Sequence, residues 1–230
     1  LYFYLSLKRL NLLVDQFLMG FLQSSHYYGL NLEMLNLLIG QLLLDVQGTP
    51  VLVGAAGPTQ IDVLFEGTAE GVAIDDDNNG RDEVVAQVSN LQLAGPTPLG
   101  PAIVSLNPDV PSLGRIEELV NNTPGLLDVD PFAPGDASSF FDISFIVELN
   151  GRRLAPLEST RVETVILDKP PSSGERYIFA PQRPVELFGL ATGQPSGVSI
   201  IREIHDAAPT VEVDVFPDTV GHLLLEVPRR

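Results

Sequence analysis

The chain has 230 residues, 44% hydrophobic and 19% charged, with 30 Asp and Glu against 13 Lys and Arg for a net charge of −17. So apolar a composition excludes an intrinsically disordered chain and supplies ample core for a large domain, and the negative field excludes a nucleic-acid binder. With no Cys there is no disulfide framework, no thiolate nucleophile and no Cys-ligated zinc.

Residues 1–47 form a Leu-rich stretch with 16 Leu and only five charged residues, Lys8, Arg9, Asp15, Glu33 and Asp45. Leu10, Leu13, Val14, Phe17, Leu18, Phe21 and Leu22 recur at helical spacing, as do Leu32, Leu35, Leu38, Ile39, Leu42, Leu43 and Val46. The pattern predicts a helical hairpin turning near Ser24–Gly29. Charges interrupt both stripes, so a membrane span is disfavoured, and contact with a membrane surface ranks below self-association. The chain begins at Leu1 rather than Met, as a processed or incomplete product does, so the lack of a signal peptide carries no weight.

From residue 48 to 230 the period changes to two. Ile61, Val63 and Phe65 alternate with Asp62, Leu64 and Glu66, and Val84, Ala86 and Val88 share one face. Gly114–Asn121 reads as a short helix or a strand. In 140–149, Phe141, Ile143, Phe145, Val147 and Leu149 are expected inward, with Asp142, Ser144 and Glu148 facing out or toward an edge. β-Branched runs recur at 160–167, 197–204 and 211–216, and Gly- and Pro-rich turns punctuate them. The expected fold is therefore mainly β: an antiparallel β-sandwich carrying an N-terminal Leu-rich helical segment. No strand–helix alternation supports a Rossmann or barrel enzyme, and no repeat supports a propeller.

One motif carries specific chemistry. Residues 75–83 read D-x-D-x-N-G-x-x-E. Calcium takes six to eight oxygens, and alternate residues of a tight loop can surround it. Asp75, Asp77 and Asn79 would supply side-chain oxygens, Arg81 a backbone carbonyl, and Glu83 a closing carboxylate, with Gly80 allowing the bend. Position twelve is Ala86, so this is not an EF-hand. A plain Asp/Asn/Gly hairpin turn is the competing account.

The loop resembles the D-x-D-x-D-G calcium loops of dockerins, thrombospondin repeats and FG-GAP blades. More broadly, Thr68–Gly95, Asn121–Asp130 and Ser139–Glu148 look like a poorly characterised β-rich domain of secreted and surface bacterial proteins. That resemblance implies export and no known catalytic activity.

Other constellations are weak. His26, His205 and His222 are scattered. His205-Asp206 is the only His–acid neighbour pair, and Ser196 and Ser199 are nearby in sequence. These observations lead to the expectation of a non-enzymatic, secreted or cell-surface structural or adhesive module. It would be calcium-stabilised and self-associating, with surface polysaccharide as a possible partner. The alternative is a soluble glycan- or peptide-binding module.

Overall fold

The computed structural model describes residues 31–67, 69–169, 174–207 and 211–214. These residues are mainly β and antiparallel, with no helix among them. Thirteen strands make one continuous sheet. They are β1 (Asn31–Val46), β2 (Thr49–Leu64), β3 (Glu83–Thr97), β4 (Gly100–Leu106), β5 (Ser112–Glu118), β6 (Ala137–Ile143) and β7 (Phe145–Leu149). After them come β8 (Arg152–Ala155), β9 (Thr160–Ile166), β10 (Arg176–Phe179), β11 (Val185–Gly189), β12 (Pro195–Ala207) and β13 (Val211–Asp214).

The pairings close this sheet into a barrel. β1 pairs with β2 on one side and with β12 on the other. β3 pairs with β2, then with β5 along its first half and β4 along its second. From there one tier runs β4–β7–β8–β11–β12 and the other β5–β6–β9–β10–β12. β4 and β5, β6 and β7, β8 and β9, and β10 and β11 are therefore two pieces of one wall strand each. β13 continues β12 along β1 in the same way. Closure through β1 and β12 joins the two margins that an open sheet would leave bare.

Two separate sheets facing each other, as a sandwich requires, are not what these pairings make. The alternation of one apolar face is common to both architectures, and only the long-range pairing of β1 with β12 distinguishes them. Residues 31–46, expected as the second helix, are strand β1, matched residue for residue to β2 from Asn31↔Leu64 to Val46↔Thr49. A dense Leu run satisfies a helical and a strand period alike, and the partner strand decides. The expected first helix, with Lys8, Arg9 and Asp15, lies outside the described residues. Gln47 and Gly48, where the composition shifts, are the turn between β1 and β2, with positive φ at both.

The core fills the barrel. Leu44, Val53, Val63, Ala86, Ile116, Val147, Leu154, Leu187 and Ile200 are fully buried. Ile61, Val63 and Phe65 point inward as the alternation predicts, and so do Val84, Ala86, Val88, Phe141, Phe145 and Val147. Ser144 does not face out. It is buried at the β6/β7 break, where its N–H donates to Ser112 Oγ at 2.9 Å and its carbonyl accepts from Asn107 N–H at 2.8 Å. One end of the barrel is closed by tight turns such as Asn150-Gly151, and the other carries the longer connections 65–82, 119–136 and 167–175.

Candidate functional site

Halfway along the barrel two polar side chains of β12, Glu203 and His205, line an interior cavity. β12 pairs with β11 through Pro195–Ile200 and with β10 through Glu203–Asp206. The ladder to β1 shifts register between Leu43 and Leu44, which leaves Ile201 as the extra residue. A bulge of this kind re-aims the side chains that follow it. Val198 and Ile200 face inward before the bulge, and Glu203 and His205 face inward after it. Two residues apart on a strand, Glu203 and His205 share one face.

Glu203 is 3% exposed, and its Oε2 lies 3.5 Å from His205 Nε2. Glu203 Oε1 and His205 Nδ1 are both buried without a hydrogen-bond partner. They border a cavity of about 20 Å³ whose other walls include Leu42, Ala55, Leu93, Ile143 and Phe145. That volume accommodates about one water-sized group. Gly40 is part of the lining, and a Cβ there would stand 3.6 Å from His205 Nδ1. The missing side chain keeps the approach to that nitrogen open.

Leaving a buried polar atom unpaired costs roughly 1–3 kcal/mol, more for a charged group. A carboxylate and an imidazole held this way among apolar walls have the chemistry of a general acid–base pair. Sequence reasoning singled out His205 but gave it the wrong acid. Asp206 points to the other face, where both its oxygens accept from Arg176, at 2.6 Å from Nε and 3.2 Å from Nη2. Ser196 Oγ is engaged locally at Val198, and neither it nor Ser199 lines the cavity.

The second constellation sits in the long β2–β3 connection. Asp75, Asp77 and Glu83 bring carboxylate oxygens within 4.8 Å of one another, and this acidic triad could hold a metal ion. The loop closes on its own amides. Asp75 accepts from the N–H groups of Asn79 and Gly80 at 2.9 Å each, Asp77 from Asn79 N–H at 3.1 Å, and Asn79 Oδ1 from Arg81 N–H at 2.9 Å. The Arg81 side chain leaves the loop and pairs with Glu117 at 2.5 Å. Glu83 is buried, and burial pushes its carboxyl above the usual range although nearby Arg115 pulls the other way. Its Oε2 has no partner, whereas Oε1 is 3.1 Å from Arg115 Nη1. Arg115 also reaches Asp77 Oδ2 at 3.5 Å.

Three more buried acids lie behind this loop and were not singled out from the sequence. Glu118 accepts from Asp82 N–H at 2.8 Å and from Asp128 N–H at 3.3 Å. Asp82 accepts from Gly125 N–H at 2.6 Å, and Asp128 from the amides of Asn122 and Thr123. They staple the connection 65–82 to the connection 119–136. Burial raises the Glu118 carboxyl above its ordinary value.

No family model and no curated protein matches the chain. Among solved structures it is similar to DynF from the dynemicin biosynthesis pathway of Micromonospora chersina, at 18% identity and a TM-score of 0.56, with 82% of each chain covered. The likeness is one of fold. The fold shared with a protein of a biosynthetic pathway overturns two expectations drawn from the sequence. One is the non-enzymatic extracellular structural or adhesive module, with its glycan- or peptide-binding alternative. The other is the exclusion of enzyme activity. Both had rested on the weakness of the candidate catalytic constellations and on a resemblance that implies no known catalytic activity.

Proposed function

We propose that this chain is an enzyme of small-molecule biosynthesis that performs proton transfer inside its barrel, with Glu203 as the base and His205 as its partner. The observation that carries the reading is the pair of unpartnered buried atoms, Glu203 Oε1 and His205 Nδ1, facing one apolar cavity. The Glu203 carboxylate takes a proton from a carbon or heteroatom of the substrate. His205 orients that carboxylate through Nε2. Apolar walls exclude water and strengthen both interactions. The fold shared with a protein of the dynemicin biosynthesis pathway agrees with a small organic substrate.

A substrate-independent probe tests this. In 5-nitrobenzisoxazole, removal of the C3 proton by a carboxylate breaks the N–O bond. The C–H electron pair becomes the third bond of a nitrile, and the N–O pair leaves on oxygen as a phenolate, so one absorbance change reports the base. Turnover above the buffer rate that is lost in the isosteric Glu203→Gln supports the proposal. No turnover, or equal turnover in Glu203→Gln, overturns it.

The acidic loop supports a second role, that of a calcium site. An all-oxygen donor set in a D-x-D-x-N-G loop suits a hard cation, and Glu83 Oε2 is a buried carboxylate oxygen with nothing bound to it. The ion would displace Arg115 and fix the loop end of the barrel. Melting temperature with and without calcium, in the native chain and in Asp77→Ala, tests it.

A further inference from the structure

The broken wall leaves part of β3 without a neighbour. β5 pairs with Glu83–Val88 and β4 with Gln92–Thr97, so Ser89, Asn90 and Leu91 face no strand on that side. Opposite them the chain leaves the wall as residues 107–111, anchored by the Asn107 and Ser112 bonds to Ser144. The result is a cleft of about 470 Å³ in the side of the barrel. That volume is in the range that encloses small organic ligands.

The chemistry of the cleft is distinctive. Gln87, Asn90, Gln92, Ser105 and Asn107 supply amides and hydroxyls, and prolines and aliphatic side chains complete the lining. No charged residue lines it, although the chain carries 43 Asp, Glu, Lys and Arg side chains between 30 acids and 13 bases. An anionic ligand would meet the repulsion of a −17 surface, and a cationic one would find no carboxylate in the cleft to pair with. An uncharged molecule bearing carbonyl, amide or hydroxyl groups suits the donors and acceptors present. Leu91 borders both this cleft and the interior cavity.

We infer that the cleft is the binding site for the body of an uncharged small-molecule substrate, whose apolar reacting end passes Leu91 to reach Glu203 and His205. The inference rests on the proton-transfer reading for the destination, but the cleft itself can be tested without it. Because the chain contains no Trp, Ser89→Trp puts a unique fluorophore on an exposed position of the cleft. Leu52→Trp, on the exposed outer face of β2, serves as the control. Both are made in the Glu203→Gln background and titrated with 5-nitrobenzisoxazole, whose nitroaromatic ring quenches indole.

Saturable quenching in Ser89→Trp, against a linear collisional response in Leu52→Trp, is the expected result. Equal linear quenching in both overturns the cleft as a site, whether or not Glu203 proves to be the base. In chains that retain Glu203, Ser89→Trp should raise KM with kcat preserved, since it narrows the path and leaves the reacting groups alone. An unchanged KM in a chain that turns the probe over also overturns the inference, because the substrate then enters elsewhere.

Discussion

Arg115 Nη1 lies 3.1 Å from Glu83 Oε1, with Arg115 on β5 and Glu83 at the start of β3. The guanidinium reaches two of the three carboxylates of the acidic triad, Glu83 and Asp77, so it would compete with a bound cation for them. Ligand that binds only the folded state stabilises it by RT ln(1 + [L]/Kd), about 2.7 kcal/mol at ~100 times Kd. Calcium is therefore expected to raise the melting temperature, Asp77→Ala to abolish the rise, and Arg115→Gln to tighten calcium binding. An Arg115→Gln chain with weaker calcium affinity than the native one, measured by calorimetric titration, would show that the arginine supports the site rather than competing for it.

Phe145 is 3% exposed at the middle of the barrel and borders the interior cavity. Phe145→Ala is expected to cost about 3–5 kcal/mol in denaturant unfolding. A loss below about 1 kcal/mol would place the ring outside the packed core.

Gly40→Ala reads the approach to His205 Nδ1. The new Cβ would stand 3.1 Å from Leu93 Cδ1, the movable end of a side chain, and 3.6 Å from the imidazole nitrogen. The fold should survive with a slight adjustment of Leu93, while turnover of the nitrobenzisoxazole probe falls. Turnover equal to that of the native chain would mean that this face of His205 is not used.

Glu118 gives a pH dependence whose sign follows from its raised carboxyl. The folded chain holds this proton to a higher pH than the unfolded chain, so the folded state binds more protons between the two values. Stability from this group is present below the unfolded value of about 4.3 and is lost as pH rises through the folded one. Glu83 acts in the same direction, so the comparison is with Glu118→Gln. Relative to that variant, the native chain should gain stability as the pH falls from neutral toward the ordinary carboxylate range. A stability difference that is flat over this interval, in urea unfolding, refutes the assignment.

What could be read from the sequence was what is local. The alternation of Ile61, Val63 and Phe65 with Asp62, Leu64 and Glu66 gave the correct inward face because neighbouring side chains on a strand must oppose each other. The acidic loop was legible for the same reason, as its donors lie within nine residues. Arg115 was not, since it is 38 positions from Asp77 and only the β3–β5 ladder brings it there. Ser144 was misplaced because the alternation assumed an unbroken strand. Glu203 was missed because acid partners for His205 were sought at the adjacent position, whereas on a strand the shared face belongs to residue i − 2. The spelling E-x-H within a β-branched run was the available signal.

The strand breaks also decide how this barrel can move. β1, β2 and β3 run through both tiers on one side, each roughly 50 Å long at strand rise. On the opposite side the wall is interrupted at nearly one level, at 107–111, Ser144, 156–159 and 180–184. The molecule is thus built like a bound book, with a spine of long ladders and a jointed cover. Flexing at these joints would spare the hydrogen bonds of the spine. An opening at the waist would therefore leave the β1–β2 ladder zipped along its whole length.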